Sequence, residues 1–90
     1  MRIRHRPLRR FYLTGEHKGL PAAMIGRLAE RLSVMAAAVG PGDLNLPGYR
    51  LHALKGDLAG WWSIRVTGNW RLICRFENGE AVDVDLVDYH

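Results

Sequence analysis

Apolar positions follow two different rhythms along this chain. In the first half Ile25, Leu28, Leu32 and Met35 recur at spacings of three and four. That spacing draws one apolar stripe and predicts a helix opened by Pro21 and ended at Gly40-Pro41. Ahead of it, Pro7 suits the first turn of a shorter helix carrying Leu8, Phe11 and Tyr12, with Gly15 as its stop. Residues 3–5 fit a short edge strand. The stretch GPGDLNLPGY at 40–49 is a connector dense in residues that interrupt regular structure. Beyond it the rhythm changes to strict alternation. Residues 61–66 and 70–76 are rich in β-branched and aromatic side chains and are separated by Gly68-Asn69, while Asn78-Gly79 precedes a third such stretch at 81–87. The pattern predicts three antiparallel strands in sequence order.

The strand faces follow from register, because a slip of one residue turns every side chain over. A two-residue loop at 68 and 69 pairs Val66 with Arg71 and mixes charge into both faces. An odd-numbered loop instead puts Trp62, Ile64, Val66, Trp70, Leu72, Cys74 and Phe76 on one face, joined by Val82, Val84 and Leu86 if the second loop is odd as well. That face is expected to cover the helices. The opposite face then carries Arg65, Arg71 and Arg75, with Asp83, Asp85 and Tyr89 beside them. Like charges facing each other across two strands are destabilising, so this arginine cluster calls for a bound anion or a nearby carboxylate. A plain surface ladder, with Asp83 and Asp85 neutralising the arginines, is the structural alternative.

Length and composition narrow the class. Ninety residues make one domain spanning 1–90, and 48% hydrophobic with 24% charged residues match an ordinary globular chain. The net charge of +4 is concentrated in positions 1–36, where eight basic residues stand against Glu16 and Glu30. Such a field favours polyanions or an acidic protein partner. Arg27, Glu30 and Arg31 lie off the helical stripe, as solvating residues or as part of a docking surface. One cysteine, Cys74, has no partner for an internal disulfide and fits a small core position in a protein of the reducing cytoplasm. With no apolar leader and no apolar run of spanning length, neither secretion nor a membrane is expected.

Elimination leaves acid–base chemistry. His5, His17, His52 and His90 are too scattered for the close pairs that zinc favours, and neither a P-loop nor a Gly-x-Ser-x-Gly elbow is present. No metal and no cofactor is expected. His52 stands three residues before Lys55 in a loop-like segment, and the chain's last residues, Asp88, Tyr89 and His90, place a carboxylate, a phenol and an imidazole in succession. With the hairpin arginines, these residue types can grip and cleave a phosphodiester without a metal.

Leu51-His52-Ala53-Leu54-Lys55-Gly56, Trp62-Ser63-Ile64, Gly68-Asn69-Trp70-Arg71, Phe76 and Asp88-Tyr89-His90 together resemble the HigB-type toxins of the RelE-like superfamily in order and spacing. The resemblance covers the C-terminal half; positions 1–45 match only in layout. It implies an α+β fold, a short N-terminal strand and two helices packed on one face of a small antiparallel sheet. It also implies a ribosome-dependent endoribonuclease that cuts messenger RNA in the decoding site, neutralised by a helix-turn-helix antitoxin of the HigA kind, with DNA contacted only through that antitoxin. The family's catalytic positions fall on His52, Lys55, Arg71, Asp88, Tyr89 and His90, and Arg65 and Arg75 are the added RNA-binding candidates. Cys74 and Leu86 stand where relatives often carry bulkier side chains. Two other functions fit the same residues: a relative that acts by binding, as gyrase inhibitors of the superfamily do, and an RNA- or protein-binding module without catalysis.

Overall fold

The computed structural model describes residues 1–89, and His90 lies outside them. Helix α1 is Arg6–Thr14 and helix α2 is Ile25–Ala37, entered through a 3₁₀ turn at Ala22–Met24. Four antiparallel strands follow in sequence order: β1 His52–Ala53, β2 Trp62–Thr67, β3 Trp70–Glu77 and β4 Glu80–Asp88. The expected α+β arrangement holds, but the antiparallel sheet has four strands where the pattern predicts three, and the edge strand expected at residues 3–5 is reduced to a single bridge. The extra strand is the segment holding His52, only two residues long and too short to show a period. At the other edge, Ile3 makes a single parallel bridge to Val84. No helix is long and apolar enough to cross a membrane among the described residues.

Both helices end and start as their residues dictate. The Leu8 amide donates to His5 Nδ1 at 3.2 Å, which caps α1, and Gly15 closes it at φ 81°, where a side chain would be strained. The stripe of α2 is buried at Leu28, Leu32 and Met35, and Met24 shares the burial at its entrance. These side chains meet Leu8, Ile64, Val66, Leu72, Cys74, Val84 and Leu86 in one core, so a single face of the sheet carries the helices. The other face, called the outer face below, carries the candidate chemistry.

Two bulges set which residues reach which face. The β2–β3 turn does have two residues, with Thr67 opposite Trp70, but Val66 is skipped in the ladder. The extra residue restores the alternation, so Ile64 faces Leu72 in the core and Arg65 faces Arg71 outside. The second turn is also two residues long, with Asn78 and Gly79 both left-handed, the geometry that suits a tight hairpin. In β4, Asp83 and Val84 together oppose Cys74, and Asp83 takes φ 52°. This overturns the placement of Val82. Cross-strand neighbours share a face, and Val82 stands opposite Arg75, so it is buried outside the main core while Ala81 takes the inner position.

The bulged Asp83 is held by charge. Arg75 donates to Asp83 Oδ2 through Nε at 3.1 Å and Nη2 at 2.5 Å, and to Glu77 through Nη2 at 3.0 Å. The guanidinium keeps the Asp83 carboxyl below its usual range. A depressed carboxyl stabilises the fold above the unfolded-state pKa, and that contribution disappears as pH falls through the folded value. Asp83→Asn keeps a residue tolerant of the left-handed conformation and removes the charge. Urea midpoints of wild type and variant are expected to differ at neutral pH and to converge below about pH 4. Parallel curves throughout would mean the pair contributes nothing.

Candidate active site

The outer face can be read row by row from the register. One row runs His52, Ser63, Ile73, Asp85 across all four strands. The next runs Arg65, Arg71, Val87. With strands about 4.8 Å apart and residues about 3.4 Å apart, the α-carbons of His52 and Arg71 lie roughly 12 Å from each other. The Tyr89 amide donates to the Asn69 carbonyl at 2.8 Å and Asp88 pairs with Trp70, so both sit beside the hairpin turn near Arg71, but Asp88 shares the core face with Trp70 and not the outer face with Arg71. Arg71 is thus central. It neighbours the C-terminal residues on one side and Arg65 on the other, whereas Tyr89 is roughly 20 Å from His52 on a flat lattice of these spacings.

His52 is exposed on the edge strand, and its Nδ1 donates to the Arg50 carbonyl at 2.8 Å. Lys55 is exposed where the chain leaves β1, at the head of a 3₁₀ turn, Gly56–Leu58. The Leu54 amide donates to the Trp61 carbonyl at 2.9 Å and closes the loop that carries it. Arg71 Nη1 donates to the carbonyls of Gly68 at 2.8 Å and Trp70 at 3.1 Å, folding the side chain back over the turn. Neither Arg65 nor Arg71 makes an ion pair among the described residues. Arg75 stands apart from this group, in another row and bound to Asp83 and Glu77.

Arg65 is fixed by its backbone. Skipping Val66 interrupts the ladder, and the carbonyls there are taken up from helix α2: Arg31 Nε donates to the Arg65 carbonyl at 2.7 Å and Arg27 Nη1 to the Val66 carbonyl at 3.1 Å. The Arg65 amide donates to the Tyr49 carbonyl at 2.7 Å. Arg31 also pairs with Glu30 at 2.7 Å and lies over the Tyr49 ring, whose hydroxyl donates to Glu30. Burial, followed by the bond to Glu30, pushes the Tyr49 hydroxyl up to about 12. Arg31 is therefore not a solvating residue: it is 8% exposed and ties α2 to the bulge.

Several neighbours carry no mark in the sequence. Trp61 lies within cation–π reach of Arg4 at 5.7 Å and Arg75 at 5.8 Å. Ser63, opposite His52, is fully buried, and its hydroxyl has no hydrogen-bond partner among the described residues. Three shallow clefts line α1 and its junction with α2, and none touches the outer-face rows. Burial pushes the Cys74 thiol up to about 12, which keeps it a protonated core residue rather than a nucleophile.

Matched against protein families, the chain fits the RelE-like toxin of type II toxin-antitoxin system HigB over residues 1–90. The chain belongs to the HigB family of RelE-like toxins. Among HigB relatives, "Endoribonuclease HigB" of Proteus vulgaris is 40% identical over 88 residues, covering 98% of this chain and 96% of that protein. "Toxin HigB-1" of Vibrio cholerae serotype O1 is 37% identical over 71 residues, covering 78% and 75%. A HigB toxin of a type II system has an antitoxin as its partner.

Proposed function

We propose that this chain is an endoribonuclease that cuts messenger RNA in the decoding site of the ribosome. The similar Proteus vulgaris protein, named an endoribonuclease, supports the reaction class. The observation that carries the site is the Arg65–Arg71 pair, two like charges opposed on the helix-free face with His52 in the adjoining row. Such a pair is stabilised when an anion bridges it, and a phosphodiester is an anion with two free oxygens.

RNA supplies its own nucleophile. The 2′-hydroxyl attacks the adjacent phosphorus, the 5′-oxygen leaves, and a 2′,3′-cyclic phosphate remains. Three tasks fall to the protein: taking the 2′ proton, neutralising the crowded phosphorane and returning a proton to the leaving oxygen. Arg71, with its planar fork, and Lys55, a mobile point charge, hold the nonbridging oxygens. Arg65 adds charge from the next strand. Arg75 contributes to RNA binding only by exchanging Asp83 or Glu77 for a phosphate. His52, Asp88 and His90 share the proton transfers, and Tyr89, exposed beside the turn, stacks on the nucleotide. No metal or cofactor is needed for these steps. The partner is a helix-turn-helix antitoxin of the HigA kind, and the site of action is the cytoplasm, where ribosomes are.

The exposed His52 and Lys55 stand on an edge strand and a short loop, which do little to fix an RNA strand, so the ribosome must supply much of the substrate geometry. Cleavage is expected on translating ribosomes, with fragments ending in 2′,3′-cyclic phosphate, and at least about 100-fold slower on the same transcript free in solution. End mapping of both samples checks this. Equal rates would remove the ribosome from the account, and intact transcripts despite arrested growth would favour a toxin that acts by binding.

A further inference from the structure

Arg50 has φ 49°, a left-handed conformation that a residue with a side chain seldom adopts. Such strain persists only where the surroundings over-determine it. Here the chain is fastened on both sides. Before Arg50, Tyr49 is buried at 3% exposure, its hydroxyl donates to Glu30, Arg31 lies 4.4 Å from its ring centroid, and its carbonyl accepts from Arg65. After Arg50, His52 is registered against Ser63. Two residues must turn the chain between these anchors, and the turn points the Arg50 carbonyl at His52 Nδ1, 2.8 Å away.

A carbonyl oxygen only accepts, so Nδ1 must carry the hydrogen of this bond, and in the neutral ring the lone pair is left on Nε2. We propose that Arg50 is a positioning residue: its left-handed backbone holds the His52 imidazole as the Nδ1–H tautomer and presents the Nε2 lone pair to the proton of the RNA 2′-hydroxyl. In the step this serves, the 2′ O–H bond breaks, its proton goes to Nε2, and the oxygen's electron pair forms the bond to phosphorus. The inference rests on the reading of His52 as a proton-transfer group. It assigns His52 the role of base. The Arg50 side chain is dispensable in it, because only the backbone angle matters.

The test combines ¹⁵N NMR of the histidine rings with steady-state cleavage on ribosomes. In spectra recorded at pH 8, with the His52 signals identified by their loss in His52→Ala, the hydrogen is expected on Nδ1. Arg50→Gly, which accepts a left-handed angle freely, is expected to keep that tautomer and a kcat within about twofold of wild type. Arg50→Val, whose branched side chain excludes that angle, is expected to move the hydrogen to Nε2 and to lower kcat about tenfold with KM little changed. If Arg50→Val does not fold, the wild-type tautomer and Arg50→Gly decide. A wild-type ring carrying its hydrogen on Nε2, a loss of activity in Arg50→Gly, or full activity with an unmoved tautomer in Arg50→Val overturns the inference. Those results beside an inactive His52→Ala leave the wider reading standing. A fully active His52→Ala removes both.

Discussion

Replacing Arg31 with methionine is expected to lower the free energy of unfolding by about 2 kcal/mol, because a partly buried carbonyl and a carboxylate lose their donor together. Methionine keeps the apolar stem and roughly the volume, so little of the loss comes from packing. What disappears is the 2.7 Å bond to the Arg65 carbonyl, the 2.7 Å pair with Glu30 and the contact with the Tyr49 ring. Glu30 is half exposed and can turn to water, which limits its share. The Arg65 carbonyl has less freedom, because it sits where the Val66 bulge breaks the ladder. For a chain of this size the melting temperature is expected to fall by about 10 °C. Chemical and thermal unfolding check the figure. An unchanged midpoint would mean that the bulge is held by the β-ladder alone and that the helix-to-sheet arginines are incidental.

The same residue marks the boundary of what the sequence discloses. The stripe of Leu28, Leu32 and Met35 is legible because a helix that packs on a sheet must repeat its apolar contacts every turn. Arg31 follows no such rule. Its burial depends on carbonyls freed by a bulge more than thirty residues later, and a charged side chain off the stripe otherwise reads as solvated. The Val66 bulge shows only indirectly, as a parity conflict between a two-residue turn and a charge-free inner face. The bulge at Asp83 leaves no trace at all. Val82, Asp83, Val84, Asp85 and Leu86 alternate without a break, and only the left-handed angle at Asp83 moves Val82 to the outer face. The candidate chemistry was legible as residue types and spacing, and the family resemblance agrees with the match over the whole chain. Its arrangement was not. That His52 and Arg71 share the outer face in adjoining rows, with Arg71 nearest the C-terminal residues, follows from the register.

His52→Ala carries the largest expected effect on activity. A positioned general base or acid contributes about 10² to 10⁴ in rate, and an exposed imidazole on an edge strand has little other role to lose. Among the described residues its side chain is tied to the fold by the Nδ1 bond to the Arg50 carbonyl, and its backbone stands opposite Ser63. Removing an exposed side chain of this kind changes stability by about 0.5 kcal/mol or less, so a folded but inactive protein is expected. Arg71→Ala is the companion, since its backbone position lies between Arg65 and the strand that leads to the C-terminal residues.

Single-turnover cleavage of a ribosome-bound transcript, run beside thermal unfolding of the same samples, tests the outer face most directly. The account predicts that His52→Ala lowers the rate by about 100-fold or more while the melting temperature stays within a few degrees of wild type. A His52→Ala protein that cuts the transcript at the wild-type rate would contradict it, and the chemistry would have to lie elsewhere on the molecule.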